Sequence, residues 1–378
     1  MYSKIVVVGS GLFGLTIAER VANVLKREVI VLERRAHIGG NAWSEFDSKT
    51  GIEIHKYGSH LFHTSHEGVW NYVNQFTKFN SYKHHVWTIH NGQTYPMPIN
   101  LGTMSQYFGK ALSPSSAKQL IELEIGNTVF EGDSTFESIA IKSIGPSLYN
   151  AFIKGYTEKQ WQTNPRNLPA EIFTRLPLRF NFETGYFDDK YQGLPLNGYQ
   201  DFIKNIAKNS LIKIITDVDF FSSGISMSPD VLLIYTGPID LFFQYKYGQL
   251  GWRTLDFEIE QLSLNDFQGT SVMNYADTNV PYTRVHEFQH LHPERIKKSD
   301  GTVIMREFSR VSEIDDEPYY PINSPSDRLA LKQYREQADS LENVIFGGRL
   351  GTYQYLDMHM AIASALNIFD SRIKPRFV

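Results

Sequence analysis

The chain opens with an apolar run, Lys4–Val8, that is β-branched from Ile5 onward and stops at Gly9. Residues 9–14 carry three glycines, residues 15–25 place apolar side chains at helical spacing, and Val29–Leu32 forms a second apolar run closed by Glu33. Strand, turn, helix and strand in that order predict a βαβ unit, and so a parallel sheet with helices on its faces. From about residue 100 to 175 the apolar spacing is helical and strand signals are scarce. That stretch predicts a helical insertion, with starts or breaks at Ser113-Pro114 and Gly132-Asp133. From about 245 to 310, alternating runs such as 302–308 predict antiparallel strands. At the end, Val344–Phe346 reads as a strand, Gly347-Gly348 as a turn and 358–369 as a helix. This ending returns the chain to its first unit and predicts a discontinuous nucleotide-binding domain. No internal repeat or low-complexity tract interrupts the pattern.

Composition narrows the class. The 378 residues exceed one ordinary core, so two or three domains are expected. Apolar residues make up 42%, charged residues 21%, and the net charge is −4. That balance gives no basic surface for nucleic acid or for an anionic membrane. There is no cysteine, which excludes thiolate catalysis, disulfides and cysteine-ligated metals. The first apolar run has neither a charged leader nor a cleavage site, and no stretch approaches the roughly 20 apolar residues of a membrane helix. The expectation is a cytoplasmic protein. The 25 Phe and 21 Tyr serve either a large core or stacking surfaces for flat ligands, and position must decide.

Gly9-Ser10-Gly11-Leu12-Phe13-Gly14 is a complete G-x-G-x-x-G, placed after a strand and opening a helix, which is the context the fingerprint requires. Gly9 permits the tight turn, Gly11 lets backbone approach a pyrophosphate, and Gly14 allows close packing of helix on strand. The helix start adds free N–H groups and a positive dipole end. Glu33 ends the second strand, where a carboxylate accepts from ribose hydroxyls and repels a 2′-phosphate. The ligand is then FAD or NAD rather than NADP. Glu33-Arg34-Arg35-Ala36-His37-Ile38-Gly39-Gly40-Asn41 resembles the second signature of two-domain flavoproteins, and with the late glycine turn it favours FAD.

Further motifs, spread over nearly the whole chain, are similar to those of bacterial UDP-galactopyranose mutases. They are Tyr57-Gly58-Ser59-His60-Leu61-Phe62-His63-Thr64, the segment from Phe152 to Trp161, Arg175-Leu176-Pro177, Asn197-Gly198-Tyr199, Asn274-Tyr275 and Arg284 before His286-Glu287. The segments 316–321, ending Tyr319-Tyr320-Pro321, and 348–358, with Arg349, Tyr355, Asp357 and Met358, complete the set. Two positions depart from the family pattern. Ile153 stands where many relatives carry a second Phe, and His84 where some have Asn near the uracil.

The resemblance implies an α/β fold in three parts. A Rossmann-like FAD-binding domain would take residues 1–80, 196–245 and 325–378. A helical bundle would take 100–175, and an antiparallel six-stranded sheet 81–99, 176–195 and 246–324. It implies a non-redox isomerase acting on UDP-galactose in its pyranose and furanose forms. The reaction would pass through a covalent adduct of the sugar with N5 of reduced FAD, and no protein nucleophile is needed. A homodimer is implied, and an external reductant such as NAD(P)H or a flavin reductase.

Residue roles follow position by position. Arg175 and Arg284, supported by His60, would act in catalysis by gripping the pyrophosphate. His84, Phe152, Tyr156, Thr157, Trp161 and Tyr186 would hold the uridine end. Asn274 and Glu307 would lie near the galactose, with Tyr320 and Tyr355 assisting at the phosphates. Gly9, Gly11, Phe13, Gly14, Glu33, Arg34, Gly40, Asn41, His60, Leu61, Arg349, Asp357 and Met358 would contact FAD. The residue types suit these tasks, since uracil stacks on tyrosine and a guanidinium fork meets two phosphate oxygens at once. His60 and His63 could suggest a metal, but no third ligand falls at a persuasive spacing, so none is expected. The alternative that the fold admits is an FAD-dependent oxidoreductase of the amine oxidase type, whose apolar or amine pocket would not need paired arginines.

Overall fold

The computed structural model describes residues 2–128, 135–168, 178–225 and 228–377. The expected helix break at Gly132-Asp133 and the candidate Arg175, with Leu176 and Pro177, lie outside the described residues.

Lys4–Val8 is the central strand of a five-stranded parallel sheet in the order Val344–Phe346, Val231–Tyr235, Lys4–Val8, Val29–Leu32, Ile212–Ile215. Successive side chains of a strand face opposite ways, so an unbroken apolar run means that both faces are covered. Ile5 and Val7 pack on one face with Ile17 and Ala18 of the helix Leu12–Arg20 and with Ala365 of the helix Met358–Ile368. Val6 packs on the other face with Leu233, Tyr235 and Phe220. Ile5, Val6 and Val7 are at most 3% exposed, each worth roughly 1.5–3 kcal/mol of hydrophobic burial. The last strand and helix join the first ones here, as the returning pattern anticipated.

Helices occupy the insertion. Pro114–Gly126 starts as expected, with Pro at its first turn and the Ser113 hydroxyl accepting from the Ser116 N–H. The helices Leu101–Tyr107 and Phe136–Ile144 carry capping boxes at Asn100 and Thr135. Their apolar faces meet in a core with Phe152, Val86, Met97 and Val272.

Among the described residues the second large sheet has seven strands rather than six. Their order is Tyr320–Pro321, Trp252–Leu262, Thr302–Val311, Arg284–Glu287, Val272–Tyr275, Val86–His90, Gln93–Met97. The added edge member is only two residues long, too short for an alternation to reveal. The sheet is mixed, because Val86–His90 runs parallel to Val272–Tyr275. No tight turn joins these two, so nothing enforces the antiparallel sense that a hairpin requires.

Candidate active site

Two cavities meet at the junction of the sheets. The first, about 280 Å³, is built on the glycine turn. Gly9 has φ +95°, and a Cβ there would lie 2.1 Å from Thr236 Oγ1. A Cβ on Gly14 would lie 2.0 Å from the Gly9 carbonyl, so only glycine lets this helix start so close to its strand. A Cβ on Gly11 would meet nothing within 4 Å, and Gly11 lines the cavity. The space in front of Gly11 is thus a cradle that a side chain would fill, as an approaching pyrophosphate requires. The Gly39-Gly40 pair packs on this same turn. Gly39 N–H donates to Ser10 O at 2.9 Å, and a Cβ on Gly40 would lie 3.1 Å from Gly11 Cα. These glycines therefore serve loop-on-loop packing as well as access to the cavity.

Glu33 is buried, and its Oε2 accepts from Ser10 N at 2.9 Å and Ser10 Oγ at 2.6 Å. The carboxylate therefore orders the glycine turn while it lines the cavity. Arg34 and Arg35 both pair with Glu317, at 2.5 and 2.7 Å, and Arg35 also donates to Asn41 Oδ1 at 2.9 Å. Glu317 belongs to a quoted motif but carried no role in the sequence reading. No local signal marks a partner so distant in the chain. Every member of the cofactor set lines this first cavity except Leu61 and Asp357, which border the second. A flavin dinucleotide fits these residues: glycine backbone for the pyrophosphate, Glu33 for ribose, and His60, Arg349 and Met358 at the inner end.

The second cavity, about 390 Å³, adjoins the first, since Asn41, His60, Arg349 and Met358 line both. Every described member of the substrate set lines it. Its floor is a row of residues in register across the mixed sheet. Asn274 pairs with Arg284, and Arg284 with Glu307, so three side chains share one face. Asn274 Oδ1 is buried and makes no hydrogen bond among the described residues. Arg284 donates to the Tyr156 hydroxyl and pairs with Glu307, Nε to Oε1, at 3.3 Å. Burial opposes the Arg284 charge, but Glu307 and the surrounding tyrosines outweigh it and raise its pKa well above the ordinary value. Burial likewise raises the Glu307 carboxyl, yet Arg284 and His286 more than offset this and hold it below the usual range. Burial pushes the Tyr156 hydroxyl up to about 12, so it stays protonated.

The rest of the wall is aromatic. Phe152 is packed at 4.9 Å from Tyr95 and 5.4 Å from Tyr107, so it serves the helical core as well as the cavity. The rings of Tyr320 and Tyr355 stack at 5.9 Å and 26°, and the Arg349 guanidinium lies 5.0 Å from the Tyr355 ring. Tyr186 and His84 meet edge-on at 5.4 Å. His84 is buried, which lowers its pKa to about 3, and its Nδ1 lies 3.0 Å from the Tyr82 hydroxyl. His60 is also held neutral, lowered to about 4 by burial. Its Nδ1 lies 2.7 Å from the Gly58 carbonyl, which can only accept, so Nε2 is left as the acceptor. His63 bonds Asp189 Oδ2 at 2.6 Å and stacks on Phe187 at 3.7 Å. The fold also brings Asp357 and His359 within 4.8 Å of it, a grouping that spacing along the chain did not reveal.

This scaffold sets a dinucleotide-type glycine turn in one cavity that opens onto a second cavity lined by an arginine and tyrosines, the layout of a two-site enzyme. The model of the UDP-galactopyranose mutase family matches residues 151–355, and that of NAD(P)-binding Rossmann-like domains matches 7–76. A probable UDP-galactopyranose mutase of Klebsiella pneumoniae is 43% identical over 97% of this chain and 94% of its own. A dTDP-fucopyranose mutase of Escherichia coli is 38% identical over 98% of this chain and 99% of its own. The crystal structure of a reduced UDP-galactopyranose mutase shares the fold, with a TM-score of 0.77 at 14% identity over 99% of this chain and 94% of that one. The chain belongs to the UDP-galactopyranose mutase family and is a flavin-dependent isomerase.

Proposed function

We propose that this enzyme interconverts UDP-galactopyranose and UDP-galactofuranose in the second cavity, with reduced FAD held in the first. The row Asn274, Arg284, Glu307, lying where His60 and Arg349 border both cavities, is the observation that carries the reading. Reduced flavin, when bound, supplies a nucleophilic nitrogen, N5, for the anomeric carbon. The chain's own residues bind, orient and shield. Arg284, with Arg175, holds the diphosphate before and after it leaves the sugar and stabilises its growing charge. Tyr156, Tyr186, Tyr320 and Tyr355 add hydroxyl donors without adding charge. Phe152, Thr157, Trp161 and His84 hold the uridine, where the neutral His84 ring, its Nδ1 taken by the Tyr82 hydroxyl, offers Nε2 to the base edge. Asn274, whose carbonyl oxygen makes no hydrogen bond among the described residues, and Glu307 receive sugar hydroxyls. The glycine turn, Phe13, Glu33, Arg34, Gly40, Asn41, Leu61, Arg349, Asp357 and Met358 hold the flavin dinucleotide.

The same reading divides the chain into a discontinuous FAD part (1–80, 196–245, 325–378), a helical part (100–175) and a sheet part between them. It takes the enzyme as a cytoplasmic homodimer whose flavin is reduced by NAD(P)H or a flavin reductase. No described helix is long and apolar enough to cross a membrane. The dTDP-fucopyranose mutase relative supports one further reading, a thymidine-linked 6-deoxy sugar in the same cavity. Chromatography of UDP-galactofuranose incubated with the flavin-loaded protein, with and without dithionite, tests the proposal. Conversion to the pyranose only on reduction supports it. Conversion of dTDP-fucopyranose alone would replace the substrate, and conversion of neither would overturn the reading.

A further inference from the structure

Ser59, His286 and Glu307 form a hydrogen-bonded series along the wall of the second cavity. Ser59 Oγ lies 2.7 Å from His286 Nδ1, and His286 Nε2 lies 3.1 Å from Glu307 Oε2. The partners dictate the hydrogens. Glu307 is held ionised by Arg284 and only accepts, so Nε2 carries the imidazole proton. Nδ1 is then the acceptor, and the Ser59 hydroxyl donates to it. This is the connectivity of a Ser–His–acid triad with the two ring nitrogens exchanged. The ring is fixed in place: His286 is 1% exposed and stacks on Phe288 at 6.0 Å and 10°. Ser59 adjoins His60, one of the residues that border both cavities, and its own lone pairs are not engaged by His286.

We propose that Ser59, His286 and Glu307 are a proton relay that serves the sugar hydroxyl as it closes the ring. The inference rests on the mutase reading above. As the hydroxyl oxygen donates an electron pair to the anomeric carbon, its proton passes to Ser59 Oγ. The Ser59 proton passes to His286 Nδ1, and the resulting imidazolium is stabilised by Glu307. The pair displaced from the anomeric carbon would return to the nucleophile bonded to it, which reduced flavin would supply when bound. Ring opening precedes closure: the proton that the attacking nucleophile gives up on bonding the anomeric carbon would enter through Ser59 and leave His286 an imidazolium, then return through Ser59 to the ring oxygen as the ring opens. Closure and release run the same path in reverse, so a full turnover neither gains nor loses a proton, as an isomerisation requires. Ser59 is a catalytic residue in this scheme, because it touches the reacting hydroxyl. His286 and Glu307 act through it.

The test uses the full-length, flavin-loaded, reduced enzyme and its Ser59→Ala and Ser59→Thr variants. Turnover of UDP-galactofuranose is followed in H₂O and D₂O, alongside substrate Kd and flavin content. Ser59→Ala is expected to keep flavin and a Kd within about twofold of the parent but to lose about 10²-fold in kcat, the scale of one general acid–base contribution. The parent enzyme should show a solvent isotope effect in single turnover with a curved proton inventory, reporting two protons in flight. Ser59→Ala should lose the curvature, and Ser59→Thr, which restores a hydroxyl, should recover rate and curvature. A merely structural serine would move neither. A Ser59→Ala enzyme within about threefold of the parent kcat, or a parent single turnover indifferent to D₂O, overturns the relay while leaving the mutase reading standing. A reduced parent enzyme without turnover sinks both.

Discussion

Arg284 and Glu307 are cross-strand partners, and the guanidinium Nε lies 3.3 Å from the carboxylate Oε1. The pair sits under the second cavity, with the Tyr156 hydroxyl on the other arm of the guanidinium. A charge already compensated and fixed in this way needs little reorganisation when a diphosphate arrives.

Arg284→Ala should therefore reduce kcat by about 10²-fold or more, as well as weakening UDP binding. Arg284→Lys should recover little, because a point charge cannot reach Tyr156, Glu307 and a phosphate together. Turnover of the reduced enzyme and UDP titration read both effects. Parental kcat in Arg284→Ala would remove this residue from the catalytic set.

The glycine turn yields a contrast between two substitutions of the same size. Gly11→Ala adds a methyl into open space, so the protein should fold with the melting temperature of the flavin-free parent but purify colourless, without flavin. Gly14→Ala places its methyl 2.0 Å from the Gly9 carbonyl and should destabilise the fold itself. Thermal melts and the flavin absorbance of the purified variants distinguish them. A yellow Gly11→Ala protein would move the cofactor elsewhere.

Buried histidines weaken the fold as pH falls, His55 and His84 more strongly than His60. Burial lowers His55 and His84 to about 3 each, well below their unfolded value. The unfolded chain binds more protons than the native one between that value and about pH 6.5, so stability is full above this window and falls as pH drops through it. Each ring should add ~1.4 kcal/mol per pH unit to the slope there. Urea denaturation at pH 7, 6 and 5 measures it, and His84→Asn should flatten the fall. An equal slope in that variant would show that His84 is not held neutral.

The Lys159 ammonium shares its three N–H groups among four backbone carbonyls, of Tyr275, Asp277, Val280 and Tyr282, at 2.7 to 3.0 Å. It ties the helix Gly155–Trp161, which carries Tyr156, to the loop between the strands of Asn274 and Arg284. Lys159→Met should destabilise by about 2–3 kcal/mol, as four oriented carbonyls lose one cation. It should also weaken substrate binding through the displaced row. Denaturant midpoints and a Kd check the two effects, and an unchanged midpoint would mean that the loop holds without the lysine.

Much of this protein is legible in the chain itself, wherever the cause lies among neighbours in sequence. The βαβ start follows from the period of the apolar positions, the helix start at Ser113-Pro114 from a cap, and the dinucleotide turn from three glycines at fixed spacing. The family motifs carried the candidate site residues, and the described ones gather around the two cavities. Tertiary packing alone decided the rest. Arg35 meets Glu317 across 282 residues, Ser59 meets His286 across 227, and Tyr156 meets Arg284 across 128. The seventh strand and the parallel pairing of Val86–His90 with Val272–Tyr275 arise in the same way. The physical reason is that a period or a cap is a property of adjacent residues. A hydrogen bond or ion pair between distant segments exists only once burial of the sheets and helices has brought those segments within about 3 Å of each other.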